Sequence, residues 1–149
     1  MPTVRSRARV AAPIERVFAF FDDPANLARL MPPPVGIRAV RVEPLPPQAG
    51  TEIEFRYGIG PIKRTWLVRL LEHHAPERIV DETIRGPMRR FHHTHAFSPA
   101  AGGGTWIDDA VDFHVGPDGP IGSVVDFGAG LAMRFVLIWR QARQRRLLR

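Results

Sequence analysis

Between Ile79 and Val115 apolar and polar residues alternate with the period of two that sends successive side chains to opposite faces of a β-strand. In the stretch from Arg89 to Phe97, Phe91, His93, His95 and Phe97 share one face, while Arg90, His92, Thr94 and Ala96 share the other. After the turn-forming run Ala100-Ala101-Gly102-Gly103-Gly104, a second strand puts Thr105, Ile107, Asp109, Val111, Phe113 and Val115 together. A register pairing Phe97 with Ile107 sets Phe91 opposite Phe113 and His95 opposite Asp109, so apolar groups match and the polar pair meets. The preceding strand, Ile79 to Arg85, turns through Gly86-Pro87 and runs antiparallel, bringing Asp81, Thr83 and Arg85 to the side of the histidines. A slip of one residue would turn Val80, Glu82 and Ile84 inward instead. Imidazoles and carboxylates are costly to bury unless they meet something polar, so Asp81, His93, His95 and Asp109 on one apolar face mark a pocket.

The same patterns organise the rest of the chain. A strand near Thr3 to Val10 leads to Pro13, which suits a first helical turn, and Ile14, Val17, Phe18 and Phe21 recur at helical spacing. Asp23 is the N-cap of a second short helix with Pro24 at its first position, ending before Pro32-Pro33-Pro34. Strands follow near Ile37 to Glu43, Thr51 to Tyr57 and Lys63 to Glu72, joined by short Gly- and Pro-rich turns that favour antiparallel neighbours. The clusters Pro44 to Pro47 and Gly58 to Pro61 are expected at the cavity mouth, and Trp66 in the core. From Ser123 to Leu148 a long helix carries Val124, Phe127, Leu131, Phe135 and Ile138 as an apolar stripe expected to face the sheet, with Gly128 and Gly130 weakening its first turns. The order β-α-α-β6-α defines an α+β domain in which a curved antiparallel sheet wraps around the final helix and leaves a cavity where the two diverge.

Composition narrows the picture. A chain of 149 residues with 44% hydrophobic content fits one globular domain over residues 1–149. Cysteine is absent, which removes disulfides, thiolate metal sites and thiol nucleophiles. No signal-peptide pattern opens the chain, and the most apolar window, Ala129 to Trp139, contains Arg134 and is too short to span a bilayer, so a cytoplasmic protein without a transmembrane segment is expected. The net charge of +6 comes from 20 Arg and one Lys. Six arginines, Arg134, Arg140, Arg143, Arg145, Arg146 and Arg149, lie in the last segment and read as the solvated end of the helix. No phosphate loop, zinc-finger spacing or other nucleic-acid module is present, and a homodimer is compatible with the chain.

Particular residues add a resemblance. Ala12-Pro13-Ile14-Glu15-Arg16-Val17-Phe18-Ala19-Phe20-Phe21-Asp22-Asp23-Pro24 with Asn26-Leu27, then Pro32-Pro33, Gly50-Thr51, Trp66, Val80-Asp81-Glu82, Gly86-Pro87, the Phe91 to Phe97 strand, Gly104-Thr105, Asp109 and Phe135 to Arg140 follow one another along nearly the whole sequence. This series resembles the START or birch-pollen-allergen-like superfamily, also called SRPBCC, which includes polyketide cyclases and dehydrases, and within it a bacterial ligand-binding branch. The resemblance implies a helix-grip fold with a deep cavity for a hydrophobic or amphipathic small molecule of lipid, polyketide or isoprenoid type. It carries over no catalytic set, because the superfamily spans carriers, sensors, cyclases and interaction domains.

Four functions suit these residues. In a small-molecule binder, Phe55, Tyr57, Phe91, Phe97, Val111 and Phe113, with Ile53, Ile107 and the helix residues Leu131 and Phe135, line the walls, while Asp81, His93, His95, Asp109 and Arg85 engage a polar group. In a cyclase or dehydratase acting without a redox cofactor, His95 or His93 paired with Asp109 or Asp81 moves protons and Arg85, if it points inward, holds an anionic oxygen. His93 and His95 at i and i+2 with a carboxylate could also ligate a divalent ion, although no metal or other cofactor is expected. A ribosome- or protein-interaction domain would use the basic tail and the sheet exterior. His73, His74 and His114 are expected to be solvated.

Overall fold

The computed structural model describes residues 2–149. Seven strands, β1 (Thr3–Val10), β2 (Gly36–Glu43), β3 (Glu52–Ile59), β4 (Ile62–His74), β5 (Arg78–Arg85), β6 (Arg90–Pro99) and β7 (Thr105–His114), form one antiparallel sheet in the order β1-β7-β6-β5-β4-β3-β2. Helix α1 (Ile14–Asp22) and a 3-10 helix (Pro24–Arg29) bridge β1 and β2, and helix α2 (Pro120–Leu147) closes the concave face. This is the α+β helix-grip architecture. Asp23 caps the 3-10 helix as its sequence position requires, accepting from the Ala25 amide at 3.0 Å.

Strand parity holds across the centre of the sheet. Phe97 faces Ile107, His95 faces Asp109 and Phe91 faces Phe113, while Asp81 of β5 faces His93. Register breaks in β4, between Leu67 and Val68 and between Leu70 and Glu72, bend the sheet around the helix. Pairing of β5 with β6 stops at Glu82 opposite His92. Arg85 therefore lies beyond the shared register, past the first of those breaks, and is exposed.

The rotation of α2 about its axis departs from the expected stripe. Gly122 packs so closely on the preceding loop that a Cβ there would sit 1.5 Å from the Pro117 carbonyl oxygen. One turn on, the Asp126 carboxylate accepts from the amides of Val115 at 2.7 Å and Gly116 at 3.1 Å and meets His114 Nδ1 at 2.6 Å. At the other end Ala12 donates to the Leu148 carbonyl at 2.9 Å, and Gln141 donates to Ser6 of β1 at 2.8 Å. These anchors turn Met133, Val136, Leu137 and Arg140 toward the sheet and leave Val124, Phe127, Leu131, Phe135 and Ile138 exposed. The helix begins at Pro120, before Ser123, and stays continuous through Gly128 and Gly130. Because it runs for 28 residues, it has the length and composition to cross a membrane, which the shorter window Ala129 to Trp139 does not. Its inner face is committed to the sheet.

Two histidines expected in solvent are held instead. His73 pairs with Asp22 at 2.7 Å and stacks edge-on against Phe18, and His114 joins the Asp126 anchor. His74 is exposed.

Candidate functional site

Sheet, α1, the 3-10 helix and α2 line a cavity of about 260 Å³. Phe55, Tyr57, Phe91 and Val111 line its sheet wall with Ile37, Ile53 and Trp66. Phe21, Leu27, Leu30 and Met31 close one side, and Met133, Val136, Leu137 and Arg140 of α2 form the opposite wall. Trp66 is held by a hydrogen bond from its indole N–H to Thr83 Oγ1 at 2.8 Å, and Gly86 leaves room for its ring, since a Cβ there would lie 2.3 Å from Trp66 Cδ1. Pro47 reaches the lining, whereas the β3–β4 turn around Gly60 does not.

One polar cluster interrupts the apolar sheet wall. His95 Nδ1 is 2.7 Å and His93 Nε2 3.2 Å from the same Asp109 oxygen, and His95 Nε2 is 3.6 Å from Asp81 Oδ2. Strand geometry dictates this meeting: His93 and His95 project side by side from β6 with ring centroids 3.9 Å apart, and register brings one acid from each neighbouring strand. Asp81, His93 and His95 face the cavity, while Asp109 lies behind the imidazoles, 3% exposed.

The cluster divides its protons unequally. Burial and the neighbouring His95 charge lower the His93 pKa to about 4, so this ring is neutral at pH 7. Burial opposes charge on His95 too, but hydrogen bonds to Asp109 and Asp81 outweigh it and raise that pKa above the ordinary 6.5. Burial likewise opposes the charge of Asp109, yet its bonds with His93 and His95 hold its carboxyl well below the usual carboxylate range. An imidazole held between two acids, its proton bound more tightly than usual, and a neutral one beside it thus face an apolar hollow, able to donate to or accept from a polar ligand group.

The same residues have the makings of a metal site. Ligand atoms of Asp81, His93 and His95 lie within 4.8 Å of one another, and Asp109 holds one nitrogen of each ring, His93 Nε2 and His95 Nδ1. A divalent ion would draw the three inward, since zinc–nitrogen bonds are about 2.0–2.1 Å.

Four residues expected at the site fall elsewhere, and two more stand just outside it. Leu131 and Phe135, 56% and 59% exposed, point away from the sheet because the anchors of α2 fix the opposite rotation. Arg85 is exposed for the register reason given above. Phe97 stacks on Phe18 and Phe21, outside the cavity. Phe113 is fully buried beneath Gly130, where a Cβ would lie 3.6 Å from its ring, and Ile107 is buried in the core beside Phe97; neither meets the cavity. Conversely, Arg140, expected among the solvated arginines, reaches the cavity and is 7% exposed. The spacing of Met133, Val136, Leu137, Arg140 and Gln144 traces a second helical stripe that could have revealed this, but its charged and amide members disguise it.

A curved sheet gripping a long helix around an apolar hollow defines a ligand-cavity domain of the helix-grip class. The chain belongs to the polyketide cyclase/dehydrase and lipid transport family, within the SRPBCC superfamily, with residues 1–140 matched. Its fold is similar to that of a Rhodobacter sphaeroides protein (TM-score 0.75, 20% identity, covering 98% of this chain and 91% of the other). It is also similar to the protein TTHA0849 of Thermus thermophilus (TM-score 0.68, 22% identity, 95% and 96% covered). Ara h 8.0201 matches as well (TM-score 0.64, 14% identity, 95% of each chain covered). No curated protein matches the chain.

Proposed function

We propose that this protein binds a small hydrophobic or amphipathic molecule in the cavity between the sheet and α2, as a soluble carrier or sensor. The observation that carries this reading is the cavity itself: a concave apolar lining with a few convergent polar groups, Asp81, His93 and His95, at one place on its wall. That is the ordinary composition of a ligand pocket. A volume of about 260 Å³ sits just below the ~300–1,000 Å³ of drug-sized sites, so it suits a single short chain or one or two rings better than a sterol or a two-chain lipid.

Trp66 forms part of the wall, so filling the cavity changes its fluorescence. Titration with C8–C12 alcohols is expected to give saturable, mutually competitive binding at one site per chain, with the Trp66 contribution lost in Trp66→Phe. Absence of saturable binding by any of these, in folded protein, overturns the reading.

A second reading has its own support. His95 is oriented by Asp109 and turned to the cavity, and its two acid partners favour its protonated form, which suits it to donate a proton to a bound carbonyl or hydroxyl leaving group, as a cyclase or dehydratase requires. Turnover of a found substrate that survives both His95→Ala and Asp109→Asn would dismiss it.

A further inference from the structure

Arg140 is the one charged group of the cavity with no counterpart among the described residues. It projects from the inner face of α2, is 7% exposed and lines the hollow. Its Nε has no hydrogen-bond partner, and no ion pair among the described residues includes it. The acids that share the cavity are already engaged: Asp22 with His73 at 2.7 Å, Asp23 with the Ala25 amide at 3.0 Å, and Asp81 with His95 at 3.6 Å. One turn further along α2, Gln144 is fully buried with neither amide atom partnered. A guanidinium stays charged at any pH a protein meets, so burial cannot be relieved by losing the proton. An unpaired buried cation is among the most unfavourable things a fold can contain, and a nonpolar side chain of similar length would serve packing better.

Resting on the cavity reading above, we infer that Arg140 is the anchor for an anionic head group, and that the ligand is a small amphipathic acid whose carboxylate meets the guanidinium while its apolar body fills the hollow. The forked donors of arginine match the two oxygens of a carboxylate, and the pairing is strong where water is excluded. The rest of the lining fits the other half of such a molecule, with Met133, Val136 and Leu137 beside Arg140 and Phe55 and Phe91 across the cavity. The volume of about 260 Å³ limits it to a single medium-length chain or a small aromatic acid. Asp81 and the histidines then remain available for a hydroxyl or keto group elsewhere on the ligand.

Decanoate and 1-decanol share a chain and differ in charge, and calorimetric titration of the full chain with each, at pH 7.5, tests the assignment. The wild type is expected to bind decanoate about tenfold to a hundredfold more tightly than decanol, the range for a hydrogen-bonded charge. In Arg140→Met that preference should vanish while decanol binding persists, and the apo variant should melt at the same temperature as wild type or higher. Arg140→Lys should retain part of the preference. Equal affinity for acid and alcohol in the wild type, or an unchanged preference in Arg140→Met, overturns the role of Arg140 while leaving the cavity reading intact. Failure of both molecules to bind overturns the cavity reading itself. A lower melting temperature in Arg140→Met, with its preference for the acid unchanged, assigns Arg140 to structure alone.

Discussion

At the scale of the residue, the centre of the molecule is the Asp109 carboxylate, buried and shared between two imidazoles whose pKa values are pushed in opposite directions. Asp109→Ala leaves His93 without its acceptor and His95 with Asp81 alone, and should cost on the order of 3–5 kcal/mol in denaturant unfolding. The two histidines act on stability in opposite directions. His95, raised above 6.5, contributes stability that is complete below the unfolded-state value and is lost as pH rises through its folded value. His93, lowered to about 4, is neutral when folded while the unfolded chain takes up a proton, so its contribution falls as pH drops from 6.5 toward 4. NMR titration of the ring protons should therefore find one buried histidine titrating above 6.5 and another near 4; two signals at ordinary values would contradict the arrangement. Asp126 behaves as a depressed acid. Backbone bonds from Val115 and Gly116, with His114, hold it down to about 2, so the stability it lends is present above the ordinary carboxyl value and lost as pH falls toward 2. Asp126→Asn should flatten that acid limb of the stability profile.

At the scale of the element, α2 separates what periodicity can say from what it cannot. The alternation in β6 and β7 places one acid among apolar residues, and only one register satisfies every position, so the pairing of His95 with Asp109 was legible in the sequence. In α2 two stripes compete. The more hydrophobic one, Val124 to Ile138, faces out, because rotation is set by a close backbone approach at Gly122 and by the Asp126 anchor, both tertiary contacts that no hydrophobic pattern encodes. β5 shows the same limit: Asp81 could be placed by parity, but a register break in β4 sends Arg85 out of reach. Substitution distinguishes the two rotations directly. Leu137→Ala, at 2% exposure, should cost about 2–5 kcal/mol, whereas Leu131→Ala, at 56%, should change stability by no more than about 0.5 kcal/mol. Gly128→Ala, where a Cβ meets nothing within 4 Å, should stabilise by about 0.4–1 kcal/mol, and Gly122→Ala should be strongly destabilising. The reverse pattern in thermal or urea melts would mean that the helix is turned the other way.

At the scale of the whole molecule, the fold arranges three surfaces around one hollow: a sheet wall carrying the histidine–aspartate cluster, a lid from α1 and the 3-10 helix, and a helical wall carrying Arg140. The strand order and the gripping helix follow from element sequence and short connections, which is why the architecture was legible. The helical wall was not, because a buried arginine and glutamine look like solvent-facing residues until the helix is docked. Two apolar surfaces thus belong to α2, one inside against the hollow and one outside, and the proposed ligand site uses the inner one. Isotope-filtered NOE spectroscopy of methyl-labelled protein with decanoate addresses this most directly. Contacts from the decanoate chain to the methyls of Met133, Val136 and Leu137 are predicted; contacts confined to Val124, Leu131 and Ile138, or none at all under saturating ligand, would contradict a ligand held in the cavity.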